Sequence, residues 1–193
     1  MRSLIAVAAT AVFAACATTA LPAIPTIALA PADLGQQVSV FQRLSVAPIA
    51  EGTAAAGAAR PMAVEALVEM DDRVVRLAAF VLSQRVLTLN WDGARLEVEQ
   101  RVELPPGVTG YRVLRDLQLA YWPASAVRTV LTEGWALEDT PRERELRYRE
   151  RVAVKVRYSD DRRWLGHIEL SNFAEGYQLT IDSVPMEGEA RDG

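Results

Sequence analysis

The side chains that carry out most enzyme chemistry are sparse in this sequence. His167 is the only histidine, so no second imidazole is available to build a zinc site. The adjacent carboxylate pairs Asp71-Asp72 and Asp160-Asp161 fall at predicted turns, where aspartate is favoured for backbone reasons. The sequence has no Gly-x-Ser-x-Gly elbow, phosphate-binding loop or dinucleotide glycine fingerprint. We therefore predict no catalytic residues, no metal site and no cofactor.

The first fifteen residues, 1–15, are typical of an export signal. A basic residue, Arg2, precedes an apolar run from Leu4 to Phe13. That run is too short to cross a bilayer, which takes about 20 residues, but has the length of a signal-peptide core. We predict that this segment is removed from the mature protein.

The only cysteine, Cys16, follows this signal. The stretch Phe13-Ala14-Ala15-Cys16 resembles the bacterial lipobox, which implies that a diacylglycerol is attached to the sulfur. A lone cysteine in an exported protein cannot form an internal disulfide; the alternative is an incidental thiol in a cleaved signal. Ala17 stands where an aspartate would resemble an inner-membrane retention signal, so we expect anchoring in the outer membrane, facing the periplasm.

Residues 16–33 are predicted to be the lipidated cysteine and a flexible tether, because the segment is rich in Ala, Pro and Thr and nearly free of charge. Residues 34–185 are predicted to form the folded domain, and residues 186–193 a disordered tail. The formal net charge of −4 argues against a nucleic-acid partner, which would favour a basic face.

The domain is predicted to be mainly β, because short segments with a period of two follow one another through most of it. The clearest turn signal is Asp92-Gly93 between two alternating runs. The run from Arg142 to Arg151 mixes Arg and Glu, and we interpret it as a solvated strand face with cross-strand ion pairs rather than a headgroup-binding patch. We count about ten to eleven strands. An open antiparallel half-barrel accounts for them, with a two-sheet sandwich as the alternative.

Two short helices interrupt the strands. Tyr111 to Tyr121 has helical spacing, and Pro123 suits the first turn of a second helix that Gly134 would end. Helices this short are marginal alone. We expect them to pack on the apolar face of the sheet as a plug or lid.

The block Leu114-Arg115-Asp116-Leu117-Gln118-Leu119-Ala120-Tyr121-Trp122-Pro123 carries a family resemblance, together with the lipobox, Trp91-Asp92-Gly93 and Tyr177-Gln178-Leu179-Thr180-Ile181. These motifs resemble those of LolB-like outer-membrane lipoproteins, in particular a group encoded beside aryl-polyene biosynthesis enzymes. The resemblance covers roughly residues 60–185. It implies the LolA/LolB half-barrel, with a cavity for acyl chains. LolB inserts lipoproteins through an exposed apolar loop residue, and the Val81-Leu82-Ser83-Gln84 turn is a candidate counterpart.

The resemblance implies a cavity wall, to which we assign seven apolar residues: Leu87, Leu89, Leu96, Val98, Leu117, Tyr121 and Trp122. The four tryptophans either line such a cavity or fill core. We expect a carrier or acceptor of an apolar ligand, namely a lipoprotein acyl chain or a polyene lipid, that works with a periplasmic carrier protein. The alternative is a structural or assembly lipoprotein with a packed core and a protein partner. An esterase or transferase would need a nucleophile–base pair, which the sequence lacks.

Overall fold

The structure is a computed structural model that describes residues 21–49, 62–102 and 108–186. The predicted signal 1–15, Cys16 and the tail beyond residue 186 lie outside the described residues. Within the described ranges, no helix is both long and apolar enough to cross a membrane.

The described residues form one open antiparallel sheet of ten strands and two short α-helices, which confirms the predicted mainly-β class. The strands are β1 (Val38–Pro48), β2 (Met62–Met70), β3 (Val75–Val81), β4 (Gln84–Trp91), β5 (Leu96–Gln100), β6 (Trp135–Asp139), β7 (Glu143–Tyr148), β8 (Arg151–Tyr158), β9 (Gly166–Asn172) and β10 (Tyr177–Pro185). The helices are α1 (Gly110–Tyr121) and α2 (Ala124–Thr129).

The strand order explains why the helices lie between the two halves of the sequence. It runs β5-β4-β3-β2-β1-β10-β9-β8-β7-β6, so β1 and β10 are central and β5 and β6 are the two edges. The chain must pass from one edge to the other between β5 and β6. The helical segment makes this crossing over one face of the sheet, which we call the inner face.

The turns form as the sequence predicts. Trp91 pairs with Leu96 across the Asp92-Gly93 turn, where Gly93 has a φ of 94° that glycine adopts without steric cost. Asp92 Oδ1 accepts hydrogen bonds from the amides of Ala94 and Arg95. Asp71 does the same for the two residues that end its own turn. These aspartates therefore serve the backbone, as expected for turn residues.

The first helix begins and ends as expected, but the second is shorter. Thr109 caps α1 by accepting a hydrogen bond from the amide of Arg112 at 3.2 Å. The second helix ends at Thr129 rather than reaching Gly134. Gly134 instead forms the turn before β6, with a φ of 83°. A Cβ there would lie 2.7 Å from the Tyr148 ring, so the position needs glycine for two reasons.

The predicted tether is wrong from residue 24 onward. Ile24, Ile27, Leu29 and Leu34 are buried in the core, and a short 3₁₀ helix, Pro31–Leu34, precedes β1. The Gln118 side chain makes two hydrogen bonds to the Leu29 backbone, at 3.1 and 2.8 Å. The indole N–H of Trp91 also donates to the Leu29 carbonyl. The low charge of this segment reflects burial, so the folded domain begins before residue 34.

Candidate functional site

A cavity of about 1110 Å³ lies between the inner face and the first helix. It occupies the end of the sheet where β1 finishes and the β3–β4 and β9–β10 turns lie, with Pro48, Leu82 and Gly176 among its lining residues. We call this end the open end. The opposite end, covered by residues 24–34, is the packed end.

The cavity wall is mainly aliphatic. The aliphatic residues on it that are larger than alanine come from six strands, the first helix and neighbouring loops: Leu44, Val46, Val64, Leu77, Val81, Leu82, Val86, Leu87, Val102, Val108, Val113, Leu117, Leu170, Leu179 and Ile181. Such a wall favours an apolar occupant, because it offers little to replace the hydrogen bonds that a polar molecule makes with water.

Short side chains make room for this volume. Ser183, Gln42, Ala66, Ala79 and Leu87 are consecutive cross-strand neighbours in one row of the sheet. Directly paired residues of antiparallel strands point to the same face, so the two alanines form a low floor in the middle of the row. The first helix passes above it and presents Leu117, Ala120 and Tyr121 to the same space.

Three of the seven predicted wall residues line the cavity: Leu87, Leu117 and Tyr121. The other four do not. Leu89 and Trp122 are buried in the core, and the Trp122 indole donates to the Ala30 carbonyl at the packed end. Leu96 and Val98 lie on the edge strand β5, where Val98 is 42% exposed.

Exposed apolar side chains collect around the cavity opening. Leu82, at the tip of the β3–β4 turn, lines the cavity and is 94% exposed. Its φ of 49° is unusual for a leucine. Val102 also lines the cavity and is 43% exposed. Exposed apolar side chains that adjoin a binding groove are typical of an interaction surface.

A buried ionic cluster stands where the first half of α1 meets the β9–β10 turn. The Arg115 guanidinium donates two hydrogen bonds to Glu175, at 2.6 and 2.8 Å, and two to Asp116, at 2.9 and 3.1 Å. The Tyr177 hydroxyl donates to the second oxygen of Asp116. We call Arg115, Asp116, Glu175 and Tyr177 the Arg115 cluster.

The pKa values of the two carboxyl groups in the Arg115 cluster shift in opposite directions. Burial raises the pKa of the Asp116 carboxyl, and Arg115 and Tyr177 offset only part of this effect. Burial is also the largest single effect on the pKa of Glu175 and acts to raise it, but the hydrogen bonds and charge of Arg115, together with the charge of Arg112, outweigh burial and hold this pKa below its usual range. The Arg115 charge is therefore compensated within the protein.

The end of the first helix is held by a buried cation that sequence reasoning missed. Arg144 is 1% exposed and donates to the carbonyls of Leu119 and Trp122, at 2.6 and 2.8 Å, and to Asp139 at 2.8 Å. These bonds satisfy carbonyls that a helix end leaves open. The alternating Arg–Glu run concealed Arg144, although it shares the phase of the buried Leu146.

The rest of that run behaves as predicted. Lys155 on β8 lies 2.9 Å from both Glu143 and Glu145 on β7, so cross-strand ion pairs line this face. His167 is half exposed, and its Nδ1 lies 2.8 Å from Asp182 on the neighbouring strand. In the part of the chain that the structure describes, no group of three or more His, Cys, Asp or Glu residues could hold a metal ion.

Comparison with known proteins gives a family but no activity. No curated protein matches the chain. Residues 51–185 match a family described as "Protein of unknown function (DUF3261)", and the match spans the sheet from β2 to β10 together with both helices. Because the match covers more than half of the sequence, the chain belongs to the DUF3261 family.

Proposed function

We propose that this protein binds an apolar, acyl-like ligand in the cavity of its open end and aids transfer or localisation of that ligand in the cell envelope. The observation that carries the proposal is the aliphatic cavity of about 1110 Å³. This volume slightly exceeds the roughly 300–1,000 Å³ typical of small-molecule sites, so the cavity has room for a long ligand. The open sheet with its crossing helix is consistent with the LolA/LolB half-barrel that the sequence resembles.

Burial of methylene groups would supply the affinity. Each CH₂ moved from water into an apolar wall contributes about 0.8 kcal/mol, so a long chain has ample driving force even after the cost of ordering it. A lipoprotein acyl chain and a polyene lipid are both long and apolar, and either suits the wall.

Transfer would use the cavity opening. Leu82 at the β3–β4 turn is the candidate to touch a membrane or a periplasmic carrier protein, because it is exposed and also lines the cavity. A lipid on Cys16 would hold the domain at the outer membrane, and several acyl chains on one residue give firm attachment where a single chain does not. The competing structural role requires a packed interior, and a cavity of this size weighs against it.

Native mass spectrometry tests the proposal. A Cys16→Ala chain behind a cleavable signal is purified from the periplasm and mixed with cis-parinaric acid, a conjugated long-chain acid that stands in for acyl and polyene ligands. We expect a co-purified lipid or a one-to-one adduct with the added acid. A folded protein that carries neither would contradict the proposal.

The anchor is tested separately by fractionation. The unmodified chain should sediment with outer membranes, whereas Cys16→Ala should appear in the soluble periplasmic fraction. If the variant still sediments with membranes, the lipidation prediction is wrong, whatever the cavity binds.

A further inference from the structure

A buried amide stands within the apolar cavity. Gln42 lines the cavity and is only 2% exposed. Its Nε2 donates hydrogen bonds to the Tyr121 hydroxyl at 2.7 Å and to Ser183 Oγ at 3.0 Å. These contacts fix the amide between the centre of the sheet and the last turn of the first helix.

The side-chain carbonyl oxygen of Gln42 is available to a molecule in the cavity. Among the described residues, none donates a hydrogen bond to the Gln42 carbonyl oxygen, and no fully buried side-chain atom of these residues lacks a partner. The oxygen is therefore open to the cavity. The cross-strand neighbour Ala66 and the next residue of the row, Ala79, leave free space on this side.

An open acceptor in such a place favours a ligand that donates to it. Once an apolar chain fills the cavity and excludes water, an acceptor left without a partner is destabilising. A charged donor would lose still more solvation on entering an apolar wall. A neutral hydroxyl fits best, because it donates to the amide oxygen and also accepts.

The depth of Gln42 in the cavity indicates which end of a bound ligand it would contact. Gln42 is the lining residue of β1 farthest from Pro48 at the opening, and six strand residues correspond to about 20 Å. On the first helix, Tyr121 lies five residues beyond Asp116, or about 7.5 Å deeper. The amide is therefore at the inner end, beyond the Arg115 cluster.

We propose that Gln42, supported by Tyr121, is a hydrogen-bonding subsite for a hydroxyl group at the buried end of a long apolar ligand. This inference rests on the proposed function, because it assumes that an apolar chain occupies the cavity. It narrows the ligand class from any acyl chain to chains whose inner end carries a neutral hydroxyl.

Competition between two acids tests the subsite. Hexadecanoic acid and 16-hydroxyhexadecanoic acid displace cis-parinaric acid from the Cys16→Ala protein, and fluorescence gives both dissociation constants. We expect the hydroxy acid to bind about threefold to tenfold more tightly, because the hydrogen bond to the protein replaces one that the hydroxyl makes with water. Equal or weaker binding of the hydroxy acid would overturn the proposal without any variant.

Two glutamine variants locate the effect. Gln42→Leu replaces the amide by an apolar group of similar size, so the preference should reverse in favour of hexadecanoic acid. Gln84→Leu is the matched control, because Gln84 also lines the cavity but is exposed at its opening, and it should keep the wild-type preference. If Gln42→Leu keeps that preference, the subsite is refuted.

The failures of the two proposals are distinguishable. If neither cis-parinaric acid nor either of the two competing acids binds, the proposed function fails. If both acids bind without preference for the hydroxyl, the cavity is a chain-binding site and only the Gln42 subsite fails.

Discussion

The two ends of the inner face carry side chains of different size. At the packed end, Trp91, Trp122 and Leu89 fill the space and are at most 6% exposed. At the open end, the centre of the cross-strand row carries only the small side chains of Ala66 and Ala79, and a cavity occupies the space above them. Both ends belong to the same strands with the same alternation, so residue volume, not pattern, decides where the interior is filled.

The ends also differ in how polar groups are treated. At the packed end, the Trp91 and Trp122 indoles donate to carbonyls of residues 29 and 30, and these bonds hold the N-terminal segment in place. At the open end, the Gln42 amide keeps one acceptor free for the cavity. In a structural core, buried polar groups typically all have hydrogen-bond partners. A polar group that faces a cavity without a partner is typical of a binding site.

Removing Arg144 should produce a large loss of stability. Arg144→Ala leaves Asp139 without its Arg144 bond and two helix-end carbonyls without donors. Asp139 keeps its ion pair with Arg163, so the loss comes mainly from the two buried carbonyls. Each buried acceptor left unpaired costs about 1–3 kcal/mol, and we expect urea unfolding to show a loss of roughly 3 kcal/mol. Arg142→Ala, whose exposed side chain pairs with Asp161, is the control and should change the free energy of unfolding by less than about 1 kcal/mol. Equal losses in the two variants would contradict this assignment.

A leucine pair on one strand compares the two ends directly. Leu89 belongs to the packed core, whereas Leu87, two residues earlier, is cavity wall. Leu→Ala changes cost about 2–5 kcal/mol, and the cost is larger where the side chain is packed closely on all sides. We expect Leu89→Ala to approach the upper value and Leu87→Ala the lower one in the same denaturant titration. Equal costs would mean that the cavity end is as well packed as the core.

The sole histidine should give the smallest effect. Its hydrogen bond with Asp182 raises the pKa of His167 above its usual value, so the stabilisation is complete below about pH 6.5 and is lost as pH rises through the higher folded-state value. The site is half exposed, so we expect only a few tenths of a kcal/mol. His167→Gln should remove this part of the decline in stability between pH 6 and pH 8. An unchanged pH profile would show that the pair contributes nothing.

Much of the fold follows from the sequence, because alternation and turn chemistry are local properties. The Asp92-Gly93 hairpin and the start of α1 after its cap, Thr109, each depend on a few neighbouring residues. The cavity wall is harder to predict, since alternation gives the face of a residue but not its place along the sheet. Leu89 and Leu87 share a strand and a buried environment, yet only Leu87 lines the cavity.

The residues missed from sequence depend on distant partners. Arg144 is buried because α1 ends beside it, 22 to 25 residues away along the chain. Ile27 and Leu29 lie in a segment whose composition resembles a tether, and only contacts with Trp91 and Gln118 show that it is core. The strand pattern places Gln42 in phase with the buried Val38 and Val40, but its role depends on α1 lying above it, which the pattern does not show.

The central claim, that the open end is a ligand cavity, is tested most directly by filling it. Ala79→Trp would place an indole on the cavity floor, whereas Ala78→Trp, the neighbouring residue on the opposite face of β3, would not. In fluorescence titrations with cis-parinaric acid, Ala79→Trp should weaken binding about tenfold or more, and Ala78→Trp should bind like the parent Cys16→Ala protein. Equal affinities for two variants with native circular dichroism spectra would contradict the account.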